Sequence, residues 1–312
     1  MKLSLSELIS ELRTKSKDKL ILFAGAGISI GSKLPSWSEF LDYYLQYCRR
    51  LLNDFIDSRE SDIKQKGSSI YSEELIEGFK KVVDSAEASK SHPLKAISLL
   101  NLKLEELPFY ENLKHDIYDA VFKMFADKEP NEIHKAIIRA KFSCILTTNY
   151  DNLLTKAARE LNNDYRRNVY DYTKTQQIAS CMYNSTPFIL HVHGSVESFL
   201  TGKPNLILTK NDYQRIAKDN SVFRFLLKSL FLDNNVIFVG FGNTDPHILD
   251  IIDEMDYFFP RKMKSNDMPT YYLLTDKVSE VDELLTSYSS LRYVIIDHAS
   301  DDLKNLFEEL RK

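Results

Sequence analysis

Leu20-Ile21-Leu22-Phe23-Ala24-Gly25-Ala26-Gly27-Ile28-Ser29 is the stretch on which the fold turns. Apolar residues from Leu20 to Ala24 predict a short buried strand, and the small residues after it let backbone come close to a neighbour or a ligand. Glycine is scarce, 9 of 312 residues, against a usual level of about 7%. Six of them fall in a few short motifs: Gly25, Gly27 and Gly31; Gly194; Gly240 and Gly242. Three such clusters directly follow apolar runs, Leu20–Phe23, Phe188–Val192 and Val236–Val239. That placement belongs to an α/β fold, whose ligands sit at the carboxyl ends of its strands.

Outward from the first strand, residues 1–18 read as an amphipathic helix, with Leu3, Leu5, Leu8, Ile9 and Leu12 on one side. Residues 36–140 read almost wholly as helix (38–56, 72–88, 94–101, 111–126 and 131–140) and suggest a helical insertion module. The α/β alternation then resumes. Strands are expected at 143–147, 188–192, 205–208, 235–239, 270–274 and 293–296. Helices are expected at 152–161, 221–232, 245–255, 278–288 and 301–311, with 162–186 mostly loop. The expected architecture is a Rossmann-like, mainly parallel sheet covered on both faces. Its core would be 1–35 and 141–312, and the insertion 36–140.

Composition narrows the function. Lys plus Arg number 41 and Asp plus Glu 45, so the net charge is 41 − 45 = −4. This argues against a nonspecific grip on nucleic acid by the whole surface. No apolar run reaches membrane-helix length, and the first twenty residues do not read as a signal sequence. The three cysteines, Cys48, Cys144 and Cys181, include no CxxC pair. Disulfide scaffolds and four-cysteine zinc sites are thereby excluded, and a cytoplasmic location is expected.

Four motifs can carry chemistry. Gly25–Ser29 could face a pyrophosphate or be a purely structural turn. It lacks the third glycine of the dinucleotide fingerprint, Ile30 standing there, and the expected ribose-binding acid would fall near Asp42 in a helical pattern. No Gly-Lys-Ser/Thr follows, so it is not a P-loop. Thr147-Thr148-Asn149-Tyr150-Asp151 could aim the Asn149 amide at a ribose hydroxyl or a water, with Asp151 orienting it. Equally, Asn and Asp are common where helices start. In His191-Val192-His193-Gly194 the histidines share a face, as a metal pair, as packed core groups, or with His193 as a general base. Val239-Gly240-Phe241-Gly242-Asn243-Thr244-Asp245-Pro246-His247 offers close backbone approach, Thr244 as a helix cap and a helix opened by Asp245-Pro246, and could bind the second half of a dinucleotide or be purely structural.

In this order the four motifs resemble the sirtuin pattern: Gly-Ala-Gly-Ile-Ser, Thr-Gln-Asn-Ile-Asp, His-Gly and Gly-Thr-Ser. The resemblance covers about 20–35 and 140–297. Departures are informative: the paired CxxC zinc motifs are absent, and Leu34-Pro35-Ser36-Trp37 stands where sirtuins carry Pro-Asp-Phe-Arg. Thr148 replaces the glutamine and Gly242 the last serine. These details are similar to the zinc-less sirtuin-like NAD hydrolases of bacterial antiphage systems, as is Leu208-Thr209-Lys210-Asn211-Asp212-Tyr213.

The resemblance implies an NAD glycohydrolase, with NAD as substrate and no metal. Asn149 and His193 would be catalytic and Asp151 would support Asn149. The cofactor-binding residues would be Gly25, Ala26, Gly27, Ser29, Thr148, Gly240, Gly242 and Asp245. It also implies a homo-oligomer and a separate activator, such as a DNA-translocase-type ATPase or an Argonaute-like protein. A non-hydrolytic NAD or ADP-ribose sensor and an NAD-dependent deacylase are the rival readings.

Overall fold

The computed structural model describes residues 2–66, 73–89, 93–107, 110–201, 205–241, 245–259, 268–275, 291–296 and 301–311. The chain divides into two compact units, one of residues 1–34, 127–206 and 216–312, the other of 35–126 and 207–215.

The first unit is built on a sheet of eight strands: β1 Lys2–Leu3, β2 Leu20–Ala24, β3 Cys144–Thr147, β4 Val169–Asp171, β5 Phe188–His191, β6 Asn235–Val239, β7 Tyr271–Thr275 and β8 Leu291–Ile295. Their order is β1-β8-β7-β6-β2-β3-β5-β4, and all the pairings are parallel. A parallel sheet must be covered on both faces, so its central strands are apolar throughout. β2 follows that rule, with all five residues buried. Leu22 and Ala24 join a buried cluster with Leu8 and Leu12, Ile137 and Ile138, Leu154, Leu306 and Phe307. Phe23 packs the other way, 5.2 Å from Phe238 and 5.1 Å from Phe241 between ring centroids, with Phe231 at 6.3 Å. The helices of this unit include Leu5–Thr14, Glu132–Ala140, Leu153–Glu160, Ser221–Asp233, Pro246–Phe258 and Asp302–Arg311.

The second unit is helical, with Trp37–Lys66, Glu73–Ala88, Pro93–Glu105 and Tyr110–Phe125. Phe40, Leu52, Phe79, Ile97, Leu100 and Leu104 fill its interior. Residues 207–215 return to it. There the Asp212 carboxylate accepts the backbone N–H groups of Leu208 and Thr209 at 3.2 and 2.8 Å.

Several elements depart from the sequence reading. Helix Glu132–Ala140 had been placed with the insertion, yet Ala136, Ile137, Ile138 and Ala140 lie in the core of the sheet unit. The unbroken helical pattern before it hides that boundary. Residues 205–208 are not a strand: Leu206, Ile207 and Leu208 are buried without entering the sheet. β1 and the helix Lys210–Asp219 were not anticipated, and residues 162–186, read as loop with short elements, hold β4 and the helix Thr175–Tyr183. The helix expected at 278–288 lies outside the described residues.

The two loops that leave β2 and β6 pack backbone against backbone. Gly25 N–H donates to the Val239 carbonyl at 2.9 Å, and Gly27 N–H to the Gly240 carbonyl at 3.0 Å. A Cβ on Gly27 would lie 2.6 Å from Gly240 Cα, and Gly240 itself has φ +62°. Gly78 is the opposite case, a helical glycine with nothing within 4 Å of an added Cβ. Gly240→Ala is therefore expected to lower stability by about 2 kcal/mol or more, while Gly78→Ala raises it by roughly 0.5–1 kcal/mol. Urea unfolding of both variants checks the opposite signs.

Candidate functional site

Parallel pairing in the order β6-β2-β3-β5 brings the four motifs to neighbouring strand ends. Hydrogen bonds tie each end to the next. Thr147 Oγ1 donates to the Ala24 carbonyl at 2.9 Å and accepts Asn149 N–H at 3.0 Å. Thr148 N–H also reaches Ala24 O, at 3.3 Å, and Val192 N–H donates to Thr147 O at 2.9 Å. The His191 ring is buried with Nδ1 3.0 Å from the Asn149 carbonyl oxygen. His191 thus ties the loop after β3 to β5, a structural use for a residue whose role the sequence left open.

Asn149, Asp151 and Ser29 form one buried group. Asn149 Nδ2–H donates to Ser29 Oγ at 3.2 Å. The Ser29 hydroxyl donates to Asp151 Oδ2 at 2.9 Å. The other oxygen, Asp151 Oδ1, accepts Leu153 N–H at 3.0 Å at the start of helix Leu153–Glu160. Asp151 thus caps that helix and also orients Asn149, through Ser29. Asn149 is 7% exposed, and its Oδ1 is buried with no hydrogen-bond partner among the described residues. A buried carbonyl oxygen without a donor is costly unless a ligand or water supplies one.

His193 lies past the end of β5 and is 3% exposed. Its Nε2 is at ion-pair distance, 3.0 Å, from Asp245 Oδ2. The remaining oxygen, Asp245 Oδ1, accepts the N–H groups of His247 and Ile248 at 3.0 and 3.1 Å. Asp245 is therefore the N-cap of helix Pro246–Phe258, the role the sequence reading had given to Thr244. Burial raises the Asp245 carboxyl pKa, but the His193 ring and the helix N–H groups outweigh it and hold the acid below its ordinary range. Gly194, at φ +79°, makes the turn out of β5, and no side chain fits there against the Asn205 carbonyl.

The expected phosphate-facing residues are placed differently. Gly25 and Gly27 direct their N–H groups to the β6 side, as described above. The Ser29 hydroxyl, at 2% exposure, is engaged by protein groups. Asp245 faces His193 and its own helix. Ala26 and Thr148 lie at the strand ends beside these groups, and Gly242 lies outside the described residues. Among the described residues, no cluster of three or more His, Cys, Asp or Glu could hold a metal ion.

Sequence reasoning missed His134 and gave His247, the last residue of the fourth motif, no role. Both are buried, and burial lowers each imidazole pKa to about 4, against a partial opposing effect of Asp151 and Asp245 respectively. The sign of the consequence follows from proton counting. Between about pH 6.5 and pH 4 the unfolded chain takes up protons that these native rings refuse, so stability falls as pH drops through that window. Each ring contributes up to about 3 kcal/mol of that loss. Urea titrations at several pH values should show a smaller acid loss for His247→Gln than for the parent chain.

The SIR2-like domain family model matches residues 143–294. Defense-associated sirtuin 2 of Bacillus subtilis is 25% identical over 311 residues, 98% of this chain and 26% of that protein. An NAD(+) hydrolase ThsA of Enterococcus faecium is 24% identical over 267 residues, covering 85% of this chain and 45% of the relative. The chain thus spans less than half the length of these relatives. Among solved structures, the crystal structure of a Sir2 homolog–NAD complex superposes with a TM-score of 0.45 and 13% identity, covering 98% of this chain and 93% of that one. Three of the four motifs, Thr147–Asp151, His191–Gly194 and Val239–Pro246, lie within the residues that the SIR2-like domain family model matches.

Proposed function

We propose that this chain is an NAD glycohydrolase that cleaves the nicotinamide–ribose bond, acting in antiphage defence by depleting NAD. The observation that carries the reading is the buried Asn149 Oδ1, held past the end of β3 with no hydrogen-bond partner among the described residues. The names of the relatives, NAD(+) hydrolase and defense-associated sirtuin, support it. Among the described residues no helix is long and apolar enough to cross a membrane.

The chemistry follows from the groups present. When the N-glycosidic bond breaks, its electron pair leaves with nicotinamide and positive charge develops on the ribose. Asn149 Oδ1 accepts a hydrogen bond from the attacking water or from a ribose hydroxyl, and so orients it. His193 takes the proton that the water loses as it adds to the anomeric carbon. The Asp245 carboxylate stabilises the imidazolium formed in that step. Nicotinamide, ADP-ribose and a proton are the products. Fixed dipoles in a buried site act here by orientation and by charge stabilisation. An activity this costly to its host calls for a switch, which we assign to subunit assembly or to a separate activator protein.

NAD consumption by the purified protein, measured over a protein concentration series and repeated with the neighbouring gene's product, tests the reading. Nicotinamide and ADP-ribose should appear. Asn149→Ala and His193→Ala should each lose about 100-fold or more, and Asp245→Asn about 10- to 100-fold. NAD binding without any nicotinamide release under all these conditions would favour a sensor instead.

A further inference from the structure

Helix Ser221–Asp233 buries one side, Phe223, Leu226, Leu227, Leu230 and Phe231, in the sheet unit and leaves apolar residues on the other. Val222 is 57%, Phe225 68% and Leu232 47% exposed. With Ser229 they stand 3, 4 and 3 residues apart, the spacing of a single stripe along a helix. Beside it runs helix Pro246–Phe258. Its Glu254 accepts a hydrogen bond from Arg224 at 2.8 Å and also pairs with Lys228. Tyr257 and Phe258, three and four residues on from Glu254, share that side of the helix and are 88% and 64% exposed. All of these residues belong to the sheet unit. We propose that this face docks a second copy of this chain, the two Ser221–Asp233 helices lying antiparallel about a twofold axis at the level of Leu227.

Shape, charge and area point to a second copy. The stripe reads the same from either end, as a self-complementary contact requires. Antiparallel pairing sets Val222 of one copy opposite Leu232 of the other, and Phe225 opposite Ser229. A large ring thereby meets a small residue, the combination that lets facing helices interdigitate. Ser229 can be covered without losing a hydrogen bond, because its hydroxyl already donates to the Phe225 carbonyl of its own helix at 2.9 Å. Charge runs the same way. Asp233 is a carboxylate at the C-terminal end of the helix, where the helix dipole disfavours it, and it pairs there with Lys19. At the N-terminal end the first turn holds no acidic residue, and the Asn220 side chain donates to the Tyr172 carbonyl instead of capping. An antiparallel partner brings its Asp233 level with that N-terminus, at both ends of the pair at once. Area suffices as well. Aromatic side chains carry roughly 150–250 Å² each, so at these exposures the five apolar residues present on the order of 500 Å². Two copies together reach about 1,000 Å², the lower bound of a specific interface. The helix also runs directly into β6, and Glu254 ties it to the helix that Asp245 caps.

The test needs no turnover and so does not depend on the glycohydrolase reading. Sedimentation velocity of the full chain over a concentration series should show self-association, and Phe225→Glu should weaken it about 30-fold or more. Urea unfolding checks that the variant is folded. Cysteines then read the register, the native ones being buried. In the proposed pair Val222 faces Leu232, whereas the two copies of either residue lie about 15 Å apart along the axis, ten residues at roughly 1.5 Å each. A disulfide needs Cα atoms within about 7 Å. Val222→Cys and Leu232→Cys proteins, mixed and mildly oxidised, should therefore form a linked heterodimer, while each alone should not crosslink. A chain that stays monomeric, or that assembles as tightly with Phe225→Glu as without it, would overturn the proposal, and the face would then serve a different partner or none. Crosslinking of each cysteine protein with itself, or no crosslink in the mixture, would overturn the antiparallel pairing. Should Phe225→Glu fail to fold, the mixed crosslink decides.

Discussion

The site depends on a contact between backbones. Gly25 and Gly27, leaving β2, lie against Gly240, leaving β6, at distances that no side chain would permit. Because β2 pairs in parallel with both β6 and β3, this contact sets the height at which the loops leave the sheet. From there hydrogen bonds pass along the strand ends, from Ala24 to Thr147 and from Thr147 to Val192, with His191 returning to Asn149. Asn149 and His193 are thereby held on adjacent strands by main-chain geometry. The glycines first read as a phosphate cradle are the means of that placement.

Around this frame polar groups are buried in shared hydrogen bonds. Ser29 meets Asp151, Asn149 and His134; Asp151 also caps a helix, and Asp245 serves both a helix and His193. Removing such groups from water is expensive unless each finds a partner. When each does, the network holds its members in one arrangement, which a reaction that develops charge requires. Asn149 Oδ1 and His247 Nε2 are buried without a hydrogen-bond partner among the described residues. Two carboxylates, Asp151 and Asp245, sit behind Asn149 and His193, one through a serine and one directly.

Much of this was legible in the sequence. The strands at Leu20–Ala24, Cys144–Thr147, Phe188–His191 and Asn235–Val239 announce themselves as apolar runs ending in glycine or polar residues. Parallel alternation then puts their exits on one edge, and the resemblance to the sirtuin pattern named Asn149, Asp151 and His193 together. The strands Lys2–Leu3 and Val169–Asp171 could not be read, because two or three residues show no periodicity. The apolar stretch 206–208 misled because burial without sheet pairing leaves the same local pattern.

What the sequence by itself determined is the alternating strand-and-helix order, the glycine-marked strand exits and the residue types gathered there. These are local properties, carried by neighbours in the chain. Only the tertiary structure decided what each side chain does. It turned Ser29 from an expected phosphate contact into the centre of a buried network, and Asp245 from an expected cofactor contact into the partner of His193. It also brought His134 to Ser29 across 105 residues. The reason is physical: a hydrogen bond between groups so distant in the chain exists only after the sheet and helix have packed, and no spacing in the sequence encodes it.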